Sequence, residues 1–352
     1  MKLPKRYTNV KPLDGGGMSN VFWGVDSFLD RKVAIKVLKD GVNPKWLKEE
    51  LNSLIKIRSK HVVQVYEVVS VESGKQAIIQ EFVDGSHLDE IPKESLLKIL
   101  YQLADSIHEI HSHGIVHRDI KPDNFKINGE GVLKVFDFGL SKSLEDAKTK
   151  GFKGTFIFAA PELFSDDTLN FDEKIDVYAF GVTCAYFALG EKQFQQRLVK
   201  IKAPPFYKLN FSFKDVDAFQ EDVELHQILD MSMSLRPESR PTMKDLHDVL
   251  KSRLLYGRHR GALVYEDSIL VLDRPGKKYK IKKENVGEVL IHYDGFYFYA
   301  DDPHGEVYIN AQLINSKFRL PSSCVITIGS EERMNNYRLF IPFDFANPEV
   351  TV

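Results

Sequence analysis

Cysteine is nearly missing from this chain of 352 residues: only Cys184 and Cys324 occur, far apart in sequence. Two such thiols cannot form the disulfide framework of a small secreted domain, and they suit a reducing compartment. An excess of one charge is missing too, with 48 Lys and Arg against 50 Asp and Glu. No global field therefore points to nucleic acid or to an anionic membrane surface. Long apolar runs are absent. The longest, Val177 to Leu189, falls short of the ~20 residues needed to cross a bilayer and contains Gly181 and Thr183. Met1-Lys2-Leu3-Pro4-Lys5-Arg6 has no apolar core behind it and does not read as a signal peptide. Neither an internal repeat nor a low-complexity tract is evident. These absences lead us to expect a soluble, cytoplasmic protein, and the length suits two domains.

What is present falls into three stretches. Residues 7–82 read as strands with one helix inserted. Val21-Phe22-Trp23, Val33-Ala34-Ile35-Lys36-Val37, Val62 to Val71 and Ala77 to Phe82 are β-rich. Between them Leu47, Leu51, Leu54 and Ile57 recur at helical spacing behind Pro44. From residue 94 the period turns helical, with Leu96, Leu100, Leu103, Ile107 and Ile110 on one face that ends at Gly114. Further helices are expected at roughly 173–189, 221–234 and 242–254. A small β-rich lobe, about 1–82, thus precedes a larger helical lobe, about 83–256. Gly257-Arg258-His259-Arg260-Gly261 reads as a linker, placed at 257–262. After it, runs such as Ile269–Leu272, Val289–Ile291, Val307–Ile309, Val325–Ile328 and Tyr337–Ile341 alternate with turn residues. That spacing predicts a small all-β sandwich domain over 263–352. The fold class expected for the whole chain is α+β.

Chemistry concentrates in His117-Arg118-Asp119-Ile120-Lys121-Pro122-Asp123-Asn124. This stretch sets an acid, a cation and an amide oxygen at fixed offsets on one short loop. Phosphoryl transfer needs such a group: a proton acceptor for a hydroxyl, a positive charge for the moving phosphoryl, and an oxygen ligand for Mg²⁺. Thirteen residues after Asn124 comes Asp137-Phe138-Gly139, a second acid on a turn. With these two motifs in this order, the chain resembles the eukaryotic-type protein kinases. The resemblance implies a bilobal protein kinase fold with ATP and Mg²⁺ as its nucleotide and metal.

Leu13-Asp14-Gly15-Gly16-Gly17-Met18-Ser19-Asn20-Val21 stands where that family carries its glycine-rich loop. Glycines let backbone N–H groups approach phosphates closely. Aligned on Gly16 and Val21, however, the first and third family glycines are replaced by Asp14 and Ser19. The resemblance makes Leu13, Gly15, Gly16, Gly17, Val21 and Ala34 nucleotide contacts. It makes Lys36 the ligand of the α- and β-phosphates, with Glu50 as its partner. Gln80-Glu81-Phe82-Val83 resembles the hinge, with Gln80 as gatekeeper and the Glu81 and Val83 backbones meeting the adenine.

By the same resemblance, Asp119 is the base that orients and deprotonates the substrate hydroxyl. Lys121 neutralises the transferred phosphoryl, and Asn124 and Asp137 hold Mg²⁺. Lys121 followed by Pro122 looks like the serine/threonine members. Gly154-Thr155 with Ala160-Pro161-Glu162 bounds a peptide-docking segment, in which Thr155 orients Asp119 and Lys121. Glu162 is expected to pair with Arg240, and Asp176 to brace the backbone of the catalytic loop. Leu54, Val65, His117 and Phe138 take the positions of the apolar spine. Arg118 before Asp119 suggests switching by a phosphate in the activation segment. Thr149, among Lys148, Lys150 and Lys153, is the first choice, against the plainer reading of a solvated loop residue. His108, His111, His113 and His117 cluster, but their spacing straddles a helix end, so zinc is set aside.

Gly305-Glu306-Val307-Tyr308-Ile309-Asn310 with Val325-Ile326-Thr327-Ile328-Gly329 is similar to the end of a forkhead-associated domain, a sandwich that binds phosphothreonine peptides through loops. Asn310 matches its peptide-contacting Asn, while its Gly-Arg and Ser-x-x-His motifs are missing. Lys277, Lys278, Lys280, Lys282 and Lys283 read either as anion contacts or as a solvent face or protected edge. The expectation is a serine/threonine protein kinase acting on protein hydroxyls, its own activation segment included, with a C-terminal interaction or regulatory domain. That domain would take a phosphothreonine partner or self-associate; no nucleic-acid or membrane partner is expected. Two rivals are weighed. A pseudokinase scaffold is slightly favoured by Asp14 and Ser19 but strongly opposed by intact Lys36, Glu50, Asp119, Asn124 and Asp137, and a metabolite kinase is opposed by Lys121 and the Ala160-Pro161-Glu162 segment.

Overall fold

The β-rich runs at the start of the chain close into one antiparallel sheet. In the computed structural model these are β1 (Tyr7–Pro12), β2 (Ser19–Asp26), β3 (Arg31–Leu38), β4 (Val65–Ser70) and β5 (Gln76–Glu81), in the order β1-β2-β3-β5-β4. The structure describes residues 3–13, 19–42, 45–71, 74–85, 91–138, 142–143, 156–164, 172–202, 205–346, 348 and 350. The chain divides into two compact units, Met1–Leu250 and Lys251–Thr351.

Side-chain alternation gives the first sheet two unlike faces. Val33, Ile35 and Val37 of β3 join Tyr7, Val71, Ala77 and Ile79 in a buried apolar cluster. The intervening positions point the other way, where Ala34 lies opposite Gln80 and Lys36 opposite Ile78. Helix α1 (Lys45–Lys56) buries Leu47, Glu50 and Leu54, one stripe at helical spacing. A glutamate on such a stripe needs a cation, since an unpaired buried carboxylate is costly.

The larger lobe is built on α2 (Leu96–Ser112), whose Leu96, Ile99, Leu100, Leu103, Ile107 and Ile110 are buried. Gly114, at φ 68°, closes it in the left-handed conformation open to glycine. Short strands follow: β6 (Ile115–Val116), β7 (Phe125–Ile127), β8 (Leu133–Val135) and β9 (Lys142–Ser143). Helix α3 (Lys174–Arg197) is buried almost all round from Ile175 to Ala185. Its expected end near 189 falls at Gly190, where φ 71° and ψ 159° break the helix before it resumes to Arg197. Strands β10 (Leu198–Lys200) and β11 (Tyr207–Leu209) form a small ribbon, followed by α4 (Val223–Ser232) and α5 (Met243–Leu254). Among the described residues no helix is long and apolar enough to cross a membrane.

The second unit holds β12 (Arg260–Tyr265), β13 (Ser268–Leu272), β14 (Lys278–Lys283), β15 (Gly287–Tyr293) and β16 (Phe298–Gly305). They are followed by β17 (Val307–Ile309), β18 (Gln312–Leu313), β19 (Phe318–Arg319), β20 (Ser323–Ile328) and β21 (Leu339–Ala346). A six-stranded sheet runs β13-β12-β21-β20-β17-β18 and a four-stranded sheet runs β14-β15-β16-β19. Both feed one buried cluster that includes Leu263, Ile281, Ile291, Phe298, Ile326 and Phe343. Strand β12 begins at Arg260, inside the stretch expected as linker. The lysine run forms β14, at the edge of its sheet.

Candidate active site

Lys36 leaves β3 on the face away from the N-terminal cluster and is buried, as is Glu50 on α1. Its Nζ donates to Glu50 Oε1 at 2.6 Å and to Asp137 Oδ1 at 2.7 Å. Burial works against the Lys36 charge, but the two carboxylates outweigh it and hold the amine protonated beyond its ordinary range. Burial would raise Asp137, yet the Lys36 ammonium holds its carboxyl below the usual range. Glu50 moves up instead, because burial, with the nearby Asp137 charge, outweighs Lys36. Asp137 adopts φ 65°, a left-handed conformation unusual outside glycine and the kind of strain that collects at functional sites.

The loop over residues 117–124 hangs from α3. Buried Asp176 accepts the backbone N–H groups of His117 at 2.7 Å and Arg118 at 2.8 Å, and His111 Nε2 lies 3.0 Å from its Oδ2. Burial alone would raise Asp176, but the hydrogen bond from His111 and the charges around it keep it low. Arg118 takes φ 69°, so the chain turns sharply just before Asp119. The Asp119 carboxylate accepts Lys121 Nζ at 2.8 Å and Asn124 Nδ2 at 3.1 Å. Asn124 Nδ2 also donates to Asp119 O at 2.7 Å, which fixes the carboxamide and leaves its oxygen without a protein partner among the described residues. Together with the 42% exposed Asp137 side chain, that is a pair of hard oxygen donors suited to Mg²⁺. Buried His117 meets Phe138 edge-on, with ring centroids 4.8 Å apart, and burial lowers its pKa. A pocket lined by Arg118, Asp119, Ile120, Phe158, Ala160 and Leu163 opens beside the loop.

Other expected site residues take their places around this group. Leu13 N donates to Val21 O at 2.8 Å, closing the strands that flank residues 14–18. Ala34, Gln80 and Val83 are buried, and Leu13 is 36% exposed. The Glu81 carboxylate is bound by Lys134 Nζ at 2.9 Å and by Gln64 N at 3.2 Å, so its side chain ties β5 to β8 and to the start of β4. Gly15, Gly16, Gly17, Thr149 and Thr155 lie outside the described residues. Leu54, His117 and Phe138 are buried, while Val65 is only half-buried. Arg240 grips Glu162 with two bonds of 2.6 and 2.8 Å.

Two contributors were not read from the sequence. His111, considered only as one of four clustered histidines, supports Asp176; its partner lies 65 residues away, with no local signal. Lys134 stands in no motif of the sequence, yet it is 8% exposed. Asn310, expected to meet a peptide, accepts Val325 N at 2.9 Å through its side-chain oxygen, so that acceptor is engaged within the second unit.

Comparison with known proteins agrees with this geometry. Residues 7–251 match the family model of the protein kinase domain, and the chain belongs to the protein kinase family. It is 32% identical over 205 residues to the probable serine/threonine-protein kinase PknB of Lactococcus lactis, covering 54% of this chain and 32% of that protein. It is also 32% identical over 197 residues to the serine/threonine-protein kinase PrkC of Bacillus subtilis, covering 51% of this chain and 30% of that one. A plant relative, CBL-interacting serine/threonine-protein kinase 19 of Arabidopsis thaliana, is 28% identical over 257 residues, 68% of this chain and 52% of its own length. The chain thus spans about a third of the length of the two bacterial relatives.

Proposed function

We propose that this chain is an ATP- and Mg²⁺-dependent serine/threonine protein kinase, acting on protein hydroxyls and on its own activation segment. The observation that carries the reading is Lys36 Nζ held between Glu50 and Asp137, at 2.6 and 2.7 Å, with the residue before Asp137 tied to the Asp119 loop by Phe136 N–H to Asn124 O at 3.1 Å. Paired in this way, Lys36 is a fixed cation for the α- and β-phosphates, lined up by Glu50. Asn124 and Asp137 would hold Mg²⁺, which when bound neutralises phosphate charge. Asp119 orients the substrate hydroxyl and takes its proton at a carboxylate oxygen. Lys121, already on that carboxylate, would neutralise charge as it builds on the transferred phosphoryl. Asp176, and His111 through it, keeps the loop backbone in register for this task. Mass-spectrometric mapping of acceptor proteins after incubation with ATP and Mg²⁺ tests the substrate class: phosphoserine and phosphothreonine are expected, and phosphate found only on tyrosine or on small molecules would refute it.

For the second unit the reading is a β-sandwich of forkhead-associated likeness that recruits or restrains. The free, buried thiols Cys184 and Cys324 suit the reducing cytoplasm, where we place the protein. Its partner would be a phosphothreonine segment or a second copy. With Asn310 Oδ1 engaged by Val325 N–H, Asn310 would offer a peptide its Nδ2 donor, and the phosphate would have to be held by other groups. A phosphothreonine peptide from the mapped activation segment, titrated against the full chain, tests that arm; no saturable binding removes it.

A further inference from the structure

The two sheets of the second unit are patterned differently. Strand β14, Lys-Tyr-Lys-Ile-Lys-Lys, places lysines 278, 280 and 282 outward and Ile281 in the core, the alternation of a sheet with one face in water. Strand β13, Ser-Ile-Leu-Val-Leu, does not alternate. Leu270 and Leu272 face the shared cluster, yet the outward Ile269 is 70% exposed. The same holds across that sheet. Val264 pairs with Ile269, Val325 with Pro342, Thr327 with Phe340 and Tyr308 with Leu313. Exposure is 45% at Val264, 40% at Val325, 47% at Phe340 and 47% at Leu313. Apolar residues on both faces of a strand mark a strand covered on both sides, and a contiguous apolar face on a soluble protein marks an interaction site.

We infer that the outer face of the six-stranded sheet pairs with the same face of a second copy of this chain. Among its cross-strand positions only Arg260 and Asp344 are charged, both toward one end. Those two charges offset one another, and Arg338, just before β21, lies 4.8 Å over the Phe340 ring and adds a single positive charge at the margin, whereas the outer face of the other sheet carries Lys278 and Lys282 beside a Lys280–Glu288 pair. Six strands about 4.8 Å apart, of two to eight residues at about 3.4 Å each, make a face of roughly 500 Å² in projection. Its projecting side chains bring the accessible area toward the ~800 Å² per partner of a stable interface. An apolar, partly aromatic centre with Arg260 and Asp344 at the margin matches how interfaces are organised. A two-fold lying in the plane between the two faces sets the same apolar patch of both copies together, residue i against j and j against i, as isologous pairing requires. This rests on the reading of the second unit as an interaction module.

Sedimentation velocity of the full chain over roughly 1 to 100 µM tests it. Wild type and Asp119→Ala should both show a concentration-dependent dimer. Ile269→Lys and Val325→Lys, at exposed positions that tolerate charge, should each weaken it by at least about tenfold with unchanged thermal melts. Lys280→Glu, on the outer face of the other sheet, should leave it unchanged. A monomer throughout the range overturns the inference, whether the face is then covered by the same chain or by a different protein. So does a dimer as strong in both face variants as in wild type. Because Asp119→Ala is read alongside, loss of catalysis and loss of pairing are scored separately: pairing without phosphate transfer refutes only the kinase reading, and transfer without pairing only the dimer.

Discussion

Replacing Glu162 by Gln removes one charge from an enclosed ion pair and leaves the other behind. The Arg240 side chain is 0% exposed and that of Glu162 24%. Arg240 gives two bonds to Glu162, one to Ser234 O at 2.8 Å and one to Lys174 O at 2.8 Å, and lies 5.0 Å over the Tyr178 ring. After Glu162→Gln the guanidinium stays buried with its carboxylate gone. One-sided removal from a buried pair costs about 3–5 kcal/mol. The two remaining carbonyl bonds and the partial hydration of Glu162 put this case at the lower end, near ~3 kcal/mol. Arg240→Met strands two carbonyls, at roughly 1–3 kcal/mol for each buried group left unsatisfied. Because the two sites touch, the double variant should be less destabilised than the sum, by about 2 kcal/mol. Urea unfolding followed by tryptophan fluorescence suits the question, since Trp23 and Trp46 both fall in the first unit and the second is silent. A loss of ~3 kcal/mol at an m-value near 3 kcal/mol/M moves the midpoint by about 1 M. Additivity within ~0.5 kcal/mol would show that the pair does not hold this segment, and the reasoning would fail.

Three further outcomes are expected. Gly181→Ala should destabilise by roughly 1–3 kcal/mol despite the better helix former, because the added Cβ overlaps Ser232 at the end of α4 and Met233 just beyond it; unchanged urea unfolding would contradict that close approach. Glu50→Gln should lower phosphate transfer by at least about tenfold while nucleotide still binds, since Lys36 keeps only Asp137; undiminished turnover counts against the pairing. Stability should fall with acid in two stages. His117 has a depressed pKa and stays neutral when folded, so its contribution fades as pH drops below about 6.5. Asp176, also depressed, stabilises above about 3.9 and loses that contribution as pH falls through its lower folded value. Glu50, raised, works in the opposite sense and blunts the second stage. Melting temperatures that stay flat from pH 7 to pH 3 would contradict this account.

Much of this arrangement was legible because local pattern and global fold agree. The stripe through Leu47, Leu54 and Ile57 located α1, and the motif order placed Glu50 on it opposite Lys36. The face from Leu96 to Ile110 located α2 almost to its ends. Where reading failed, the signal was either contradictory or long-range. Strand β12 starts among Gly, Arg and His residues that read as linker, because only its pairing with β13 and β21 makes it a strand. The alternating lysines of β14 left two readings open, and its place at the edge of its sheet, with Ile281 in the core flanked by half-buried Tyr279, matches the protected edge. Lys134 and His111 depend on partners 53 and 65 residues away, which no periodicity reveals. Glu162 and Arg240 are farther apart still, at 78 residues, and were paired only because each stands in a recognisable motif.

The central claim is that Asp119, Lys36, Asn124 and Asp137 form a working phosphotransfer site. Phosphate incorporation from labelled ATP with Mg²⁺, comparing wild type with Asp119→Ala, tests it most directly. Incorporation by wild type, lost in a variant whose melting curve is unchanged, is the predicted result. Equal incorporation by both proteins, or none by wild type with any protein acceptor, would contradict it.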